Sequence, residues 1–269
     1  MMSKLTSLKE AMQSLENDAV VALGGNTLNR APMAAVYEMA RQGKKHLHLV
    51  KTAGAMDVDL LCLAGCVQSV DAGFVSLESR FGLCRNWRRL VEEGTVQHNE
   101  HACYTVISAL RAAACGLPFM PVRGLTETSL FEAEERFAKV RDPFGGSDLM
   151  VVKAIVPDVA ILHVHKADEK GNAFILGSPY DDIILSRAAG RVIITAEDIV
   201  PESFLRRAEN KAQIPHFLVD HVVHAPGGAA PCAVAGYYRA DEDEVRSYLA
   251  LPDKDSLFIW LHDRRRAYA

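Results

Sequence analysis

Short apolar runs of strand length recur along this chain. Each is followed within a few residues by a turn and a stretch of helical periodicity, and that alternation limits the fold more than any other feature. The runs are 20–23 (VVAL), 46–50 (HLHLV), 69–77, 95–98, 149–155, 158–164 (DVAILHV), 191–195 (RVIIT) and 217–224. Between them lie helical segments at 31–42, 57–64, 86–93, 101–115 and 181–189, the first with Ala35, Val36, Met39 and Ala40 on one face. Strands alternating with helices at this pitch predict an α/β fold with a mainly parallel sheet. Two more helices, 241–251 and 256–265, close the chain, and Ser7-x-x-Glu10 reads as a capping box near its start. Residues 124–146 are more polar and irregular, ending in Asp142-Pro-Phe-Gly-Gly. They predict a small subdomain or lid at about 120–150 inside one domain spanning 1–269.

Composition narrows the function classes. Of 269 residues 49% are hydrophobic and the net charge is −4, so nothing is basic enough to suggest nucleic acid. The run Arg264-Arg265-Arg266 reads as a solvated helix face. No apolar run reaches the ~20 residues that span a bilayer, and the N-terminal stretch is polar, which predicts a cytoplasmic protein with no membrane partner. The six cysteines, Cys62, Cys66, Cys84, Cys103, Cys115 and Cys232, sit mostly in apolar surroundings and read as free thiols. No further ligands stand at metal-binding spacing around Cys62-x-x-x-Cys66, so no metal is expected.

The most informative loop is Gly24-Gly25-Asn26, between the first strand and the first long helix. Two glycines there let the backbone take positive φ and let another group come close to main-chain amides. The loop lacks the G-x-G-x-x-G spacing of a dinucleotide site, a P-loop lysine is missing, and no G-x-S-x-G elbow occurs. His163 and His165 alternate on a strand, which suits either hydrogen-bonded packing or metal ligation. Asp181-Asp182 falls where a helix wants its N-cap, though two adjacent carboxylates also suit a cation. His98, Asn99, Glu100 and His101 cluster where a strand hands over to a helix. Ser76, Glu78 and Arg80 stand at the end of the preceding strand, with Glu78 and Arg80 spaced to pair. In a parallel sheet those strand ends form the edge where ligands bind.

Taken in order, these stretches resemble the family I CoA-transferases, specifically the alpha subunit of the glutaconate CoA-transferase type. The family opens with Asp/Asn-Gly, three apolar residues, Gly-Gly-Phe and Gly-x-Pro. This chain reads Asn17-Asp18, Val21-Ala22-Leu23, Gly24-Gly25-Asn26 and Arg30-Ala31-Pro32, with Asp18, Asn26 and Arg30 departing from the pattern. The resemblance continues through Asp57-Val-Asp-Leu-Leu, Gly65-Cys66-Val67, RAAACGLPFMP at 111–121, PDVAILHVHKADEKGN at 157–172, ITAEDIVP at 194–201, IPHFLV at 214–219 and Gly236-Tyr-Tyr.

The resemblance implies a Rossmann-like sheet in a hetero-oligomer with a beta subunit of the same family, acting on an acyl-CoA thioester and a carboxylic acid and holding no bound cofactor. It implies a nucleophilic glutamate on the beta subunit, because the Ser-Glu-Asn-Gly signature is absent here. Gly24, Gly25 and Asn26 would then shape the thioester pocket, with Ser76, Glu78, Glu100 and Cys103 at its mouth. Relatives with both halves on one chain carry a glutamine at the start of the helix before R-A-x-x-x-G-x-P, where it helps bind the thioester oxygen. Counting back from Arg111 places Cys103 at that position. Some family members are hydrolases of ring-containing CoA thioesters that use a glutamate of the alpha subunit, and Glu100 is the matching candidate. A sugar-phosphate-binding module of the same broad fold is the remaining alternative.

Overall fold

The computed structural model describes residues 3–125, 128–129 and 135–263. Its centre is the strand β1, Val20–Leu23, which pairs in parallel on both sides. On one flank follow β2 (Leu47–Gly54), β3 (Val67–Val75) and β4 (Gln97–Glu100); on the other lie β8 (Val159–Ala167), β10 (Arg191–Ile199) and β11 (His221–His224). Every neighbouring pair along this path is parallel, and only the two-residue strand β9 (Ala173–Phe174) turns back on β8. The mainly parallel, helix-flanked sheet expected from the sequence is what the chain forms.

The chain lays down β1 to β4 in order and then crosses to the far side of β1 to add β8. Strand order therefore reverses between β1 and β8, and a crevice opens at their carboxyl ends, as in other doubly wound sheets. Helices cover both faces, so the inner strands are largely apolar; β8 is buried at all but one position. One core layer gathers Met12, Met33, Met39, Leu60 and Tyr248, and the other Val106, Leu110, Met150, Leu162 and Ile194. The capping box at Ser7 forms as read, with Glu10 returning to the Ser7 amide. Among the described residues no helix is long and apolar enough to cross a membrane.

Several boundaries differ from the sequence reading, for identifiable reasons. Strand β2 does not stop at Val50 but runs to Gly54, carrying Lys51 into the core. That lysine is tolerated because its ammonium meets Asp57 at 3.0 Å and the carbonyl of Gly24. The stretch at 149–155 does not rejoin the main sheet. Instead β5 (Phe119–Val122), β6 (Phe137–Arg141) and β7 (Asp148–Lys153) form a separate antiparallel sheet in the order β5-β7-β6. A short helix, Glu78–Phe81, follows β3, and the late strand is preceded by a 3-10 turn at His216–Leu218. Arg264 to Arg266, and residues 126–127 and 130–134 of the irregular stretch, lie outside the described residues.

Candidate functional site

The glycine loop leaves β1 at the crevice and is held by its own chain. Gly24 donates its N–H to Ile161 O at 2.9 Å, Gly25 to a carboxylate oxygen of Asp182 at 2.8 Å, and Asn26 to Asn29 O at 2.8 Å. The preference of such amides for negative charge is thus met from inside, by Asp182. Asp182 also receives Arg30 at 2.6 Å, and the same guanidinium donates to His163 O and Ser178 O. Both Arg30 and Asp182 are buried, so the loop is fastened to the helix Asp182–Ala188 by a charge pair. Asp182 is therefore a partner of Arg30. It does not act as a helix cap, and the N-cap residue Asp181 makes no capping bond either. Burial holds the Asp181 carboxyl above its ordinary value, against the lowering effect of the Thr52 hydroxyl.

Ser76 and Glu78 lie just past β3. The Ser76 hydroxyl accepts the Glu78 N–H at 3.0 Å and donates to Gly82 O, a turn that holds Glu78 at a φ of 63°. Arg80 does not pair with Glu78; it reaches Glu242 instead. Glu100 is exposed at the carboxyl end of β4, paired in register with Ala72 of β3. The helix that follows, Cys103–Ala114, takes Ala102 as its N-cap, so Glu100 and His101 are not caps. Cys103 opens that helix with its thiol donating to Thr52 O at 3.6 Å, and burial raises the thiol's pKa above its ordinary value.

These residues share one edge of the sheet. Glu100 lies opposite Ala72 of β3 and Cys103 packs against Gly73, whereas Ser76 and Glu78 lie further along, past the end of β3. Cys103 also approaches the glycine loop: its thiol donates to Thr52 O of β2, and the next β2 residue, Ala53, accepts the Thr27 N–H just past that loop.

Behind the edge stand buried polar residues that the sequence reading did not single out. Asp71 of β3 accepts from Asn99 at 2.8 Å, from His101 at 3.2 Å and from Arg136 at 3.0 Å. The signal available was an aspartate inside an otherwise apolar strand. The two histidines of β8 are packing residues with complete hydrogen bonding. His163 donates to Glu197 at 2.8 Å and faces the Thr195 hydroxyl at 2.9 Å. Burial would raise the Glu197 pKa, but the bonds from His163, Tyr238 and the Gly227 amide outweigh it and hold it low. His165 accepts from the Leu176 N–H at 3.0 Å and donates to Ala235 O at 2.9 Å, which fixes the neutral ring. Burial lowers its pKa to about 4. Among the described residues no cluster suited to a metal ion occurs.

The His165 shift has a measurable consequence. The unfolded chain takes up a proton near pH 6.5 that the folded chain refuses until about pH 4, so stability is intact above pH 6.5 and falls between those limits. A loss on the order of 3 kcal/mol between pH 7 and pH 4 is expected from this group. Urea unfolding across that range checks it, and the fall should be shallower in His165→Gln, which has no titrating ring.

Comparison with known proteins agrees with this architecture. Residues 5–225 match the family model described as Coenzyme A transferase. A protein of Archaeoglobus fulgidus with no stated activity is 40% identical over 93% of this chain, which spans only 56% of that protein. The alpha chain (the A component) of 3-oxoadipate CoA-transferase from Pseudomonas knackmussii is 32% identical, over 97% of this chain and 93% of that one. The IpdA component of a cholesterol ring-cleaving hydrolase of Mycobacterium tuberculosis is 33% identical, over 92% of this chain and 88% of that one. Among solved structures, a variant of the decarboxylase AibA/AibB superposes with a TM-score of 0.89 at 37% identity, covering 98% of this chain and 100% of that one. Glutaconate coenzyme A-transferase from Acidaminococcus fermentans gives 0.87 at 28% identity, covering 96% and 93%. On the family match, the helix-flanked parallel sheet and the near full-length relatives, this chain belongs to the Coenzyme A transferase family.

Proposed function

We propose that this chain is the alpha subunit of a two-subunit CoA-transferase, moving coenzyme A between an acyl-CoA thioester and a carboxylic acid. The observation that carries the reading is the end-to-end match with the alpha chain of a transferase, over 97% of this chain and 93% of that one. The state of the carboxylates supports it. Asp182 is bound to Arg30, Asp71 to three donors and Glu197 to His163 and Tyr238, so none of the three is a free nucleophile. In this reading the attacking glutamate comes from a beta subunit, forming first an acyl anhydride with release of CoA thiolate and then a glutamyl-CoA thioester. The developing thioester oxyanion needs a donor, and one such donor contributes about 3 kcal/mol. The Gly24, Gly25 and Asn26 amides are engaged within the chain, so this loop serves by shape, and Ser76, Glu78 and Cys103 form the mouth at the neighbouring strand ends.

A second reading rests on Glu100. It is exposed at a strand's carboxyl end and is not a helix cap, the position of a base that holds a water, and the chain also matches a component of a hydrolase. Co-expression with the neighbouring open reading frame, followed by assay with an acyl-CoA and a panel of carboxylic acids, separates the two. Transfer predicts a new acyl-CoA product, a covalent CoA adduct on the partner chain by intact mass, and turnover by this chain alone at least ~10³-fold slower. Glu100→Gln then slows transfer without abolishing it, and the adduct on the partner chain still forms. Free acid plus free CoA with no adduct, abolished by Glu100→Gln, overturns transfer in favour of hydrolysis. Full-rate turnover by the isolated chain overturns both.

A further inference from the structure

We propose that Asp71 is a positioning residue for the site edge. One buried carboxylate holds both the strand end that carries Glu100 and the seat of the three-stranded sheet. Glu100 is flanked by Asn99 and His101, and each of these is gripped at two points. The Asn99 side chain accepts from Gln97 Nε2 at 2.9 Å and donates to Asp71 Oδ2 at 2.8 Å. His101 faces Asp71 Oδ1 through Nε2 at 3.2 Å and the Thr105 hydroxyl through Nδ1 at 3.0 Å. A carboxylate only accepts, so Nε2 carries a proton toward Asp71, while the Thr105 hydroxyl facing Nδ1 donates its own proton to Ala102 O at 2.8 Å. Thr105 in turn receives the Ala102 N–H at 3.0 Å, so residues 99–102 are fixed on both sides of Glu100.

The remaining bond to Oδ1 crosses to the second sheet. Arg136 donates its Nε at 3.0 Å, and the next residue, Phe137, sets its ring edge-on to the His101 ring at 5.6 Å between centroids. Asp71 itself is 4% exposed. A charge so buried must keep its donors, and moving either the strand end or β6 strips it of one. The antiparallel sheet of β5, β7 and β6 is therefore a wall of the site, registered against the Glu100 segment by the same oxygen that orders the segment.

This rests on the assignment of that strand end to the site, so the test has an arm that needs no activity. In the complex with its partner chain, Asp71→Asn should lower kcat about 30-fold with KM within threefold, in keeping with the large cost of ångström-scale misplacement. In the isolated chain the same substitution should raise amide hydrogen exchange at residues 99–102 and 137–141 together, leaving 192–196 unchanged. Asp59→Asn is the control. That buried carboxylate binds Trp87, Asn86 and Tyr248 on the opposite helix layer, and it should lower Tm comparably while leaving kcat within twofold. Should Asp71→Asn fail to fold, Arg136→Gln, whose side chain is one-third exposed, carries the same comparison. The proposal falls if kcat drops no further than in Asp59→Asn, or if exchange rises evenly across the sheet. A wild-type complex that transfers no CoA sinks the functional reading alone, because the exchange arm still decides Asp71.

Discussion

Asp182→Ala is expected to remove about 4 kcal/mol of folding stability, a large share of the ~5–15 kcal/mol that holds a domain of ordinary stability together. The size follows from what the carboxylate serves. It is the anion bonded to the buried guanidinium of Arg30 and the acceptor for the Gly25 N–H, so its loss strands both a charge and an amide. The bonds from Arg30 to His163 O and Ser178 O remain, but carbonyls do not neutralise a buried cation. Relief by rearrangement is blocked, because Arg30 sits at a φ of 53° and a Cβ on Gly25 would already lie 2.5 Å from the Arg30 carbonyl. Urea denaturation of the isolated chain measures the loss, with a fall in Tm of roughly 10 °C alongside. Arg30→Met combined with Asp182→Leu should recover part of it, since removing both charges leaves neither unpaired. A cost below ~1 kcal/mol for Asp182→Ala would show that the pair does not fasten the loop.

How far the sequence disclosed this arrangement depends on the kind of interaction. The strands at 20–23, 158–164 and 191–195 were legible because burial on both faces demands unbroken apolar runs. Lys51 broke such a run and so read as a loop. Its neutralising partner, Asp57, lies on the next helix, and one-dimensional periodicity does not encode that meeting. Asp182 read as a cap or cation ligand for the same reason: Arg30 is 152 residues away in sequence. A small subdomain or lid at about 120–150 was expected, but the strands of its antiparallel sheet were hidden because they alternate weakly, as in Phe137–Arg141, where only Phe137 is fully buried. The edge was legible from strand order and turn chemistry for Ser76, Glu78 and Glu100, whereas Cys103 entered only through the family resemblance. Asp71 was not legible, since a carboxylate in a strand shows its purpose only when Asn99, His101 and Arg136 arrive from other segments.

Gly73→Ala should lower kcat of the assembled enzyme by about 10²-fold while costing only about 1–3 kcal/mol of stability. Gly73 lies in β3 where the next helix begins, and a Cβ there would stand 2.4 Å from the backbone nitrogen of Cys103, 2.6 Å from its Cα and 2.7 Å from its Sγ. Two of those three atoms are main chain, so no rotamer change relieves the contact, and the first turn of the helix must retreat by about 1 Å to reach ordinary contact. The body of the helix resists following, because Val106, Ala109 and Leu110 are locked in the core. The strain therefore concentrates at Ala102 and Cys103, beside Glu100. Gly190→Ala is the matching control: its Cβ would meet nothing nearer than Asp158 O at 3.4 Å, and kcat should stay within twofold. Steady-state kinetics on both variants, each purified with its partner, decide the matter. If Gly73→Ala keeps kcat within threefold, the start of this helix is not part of the reacting surface.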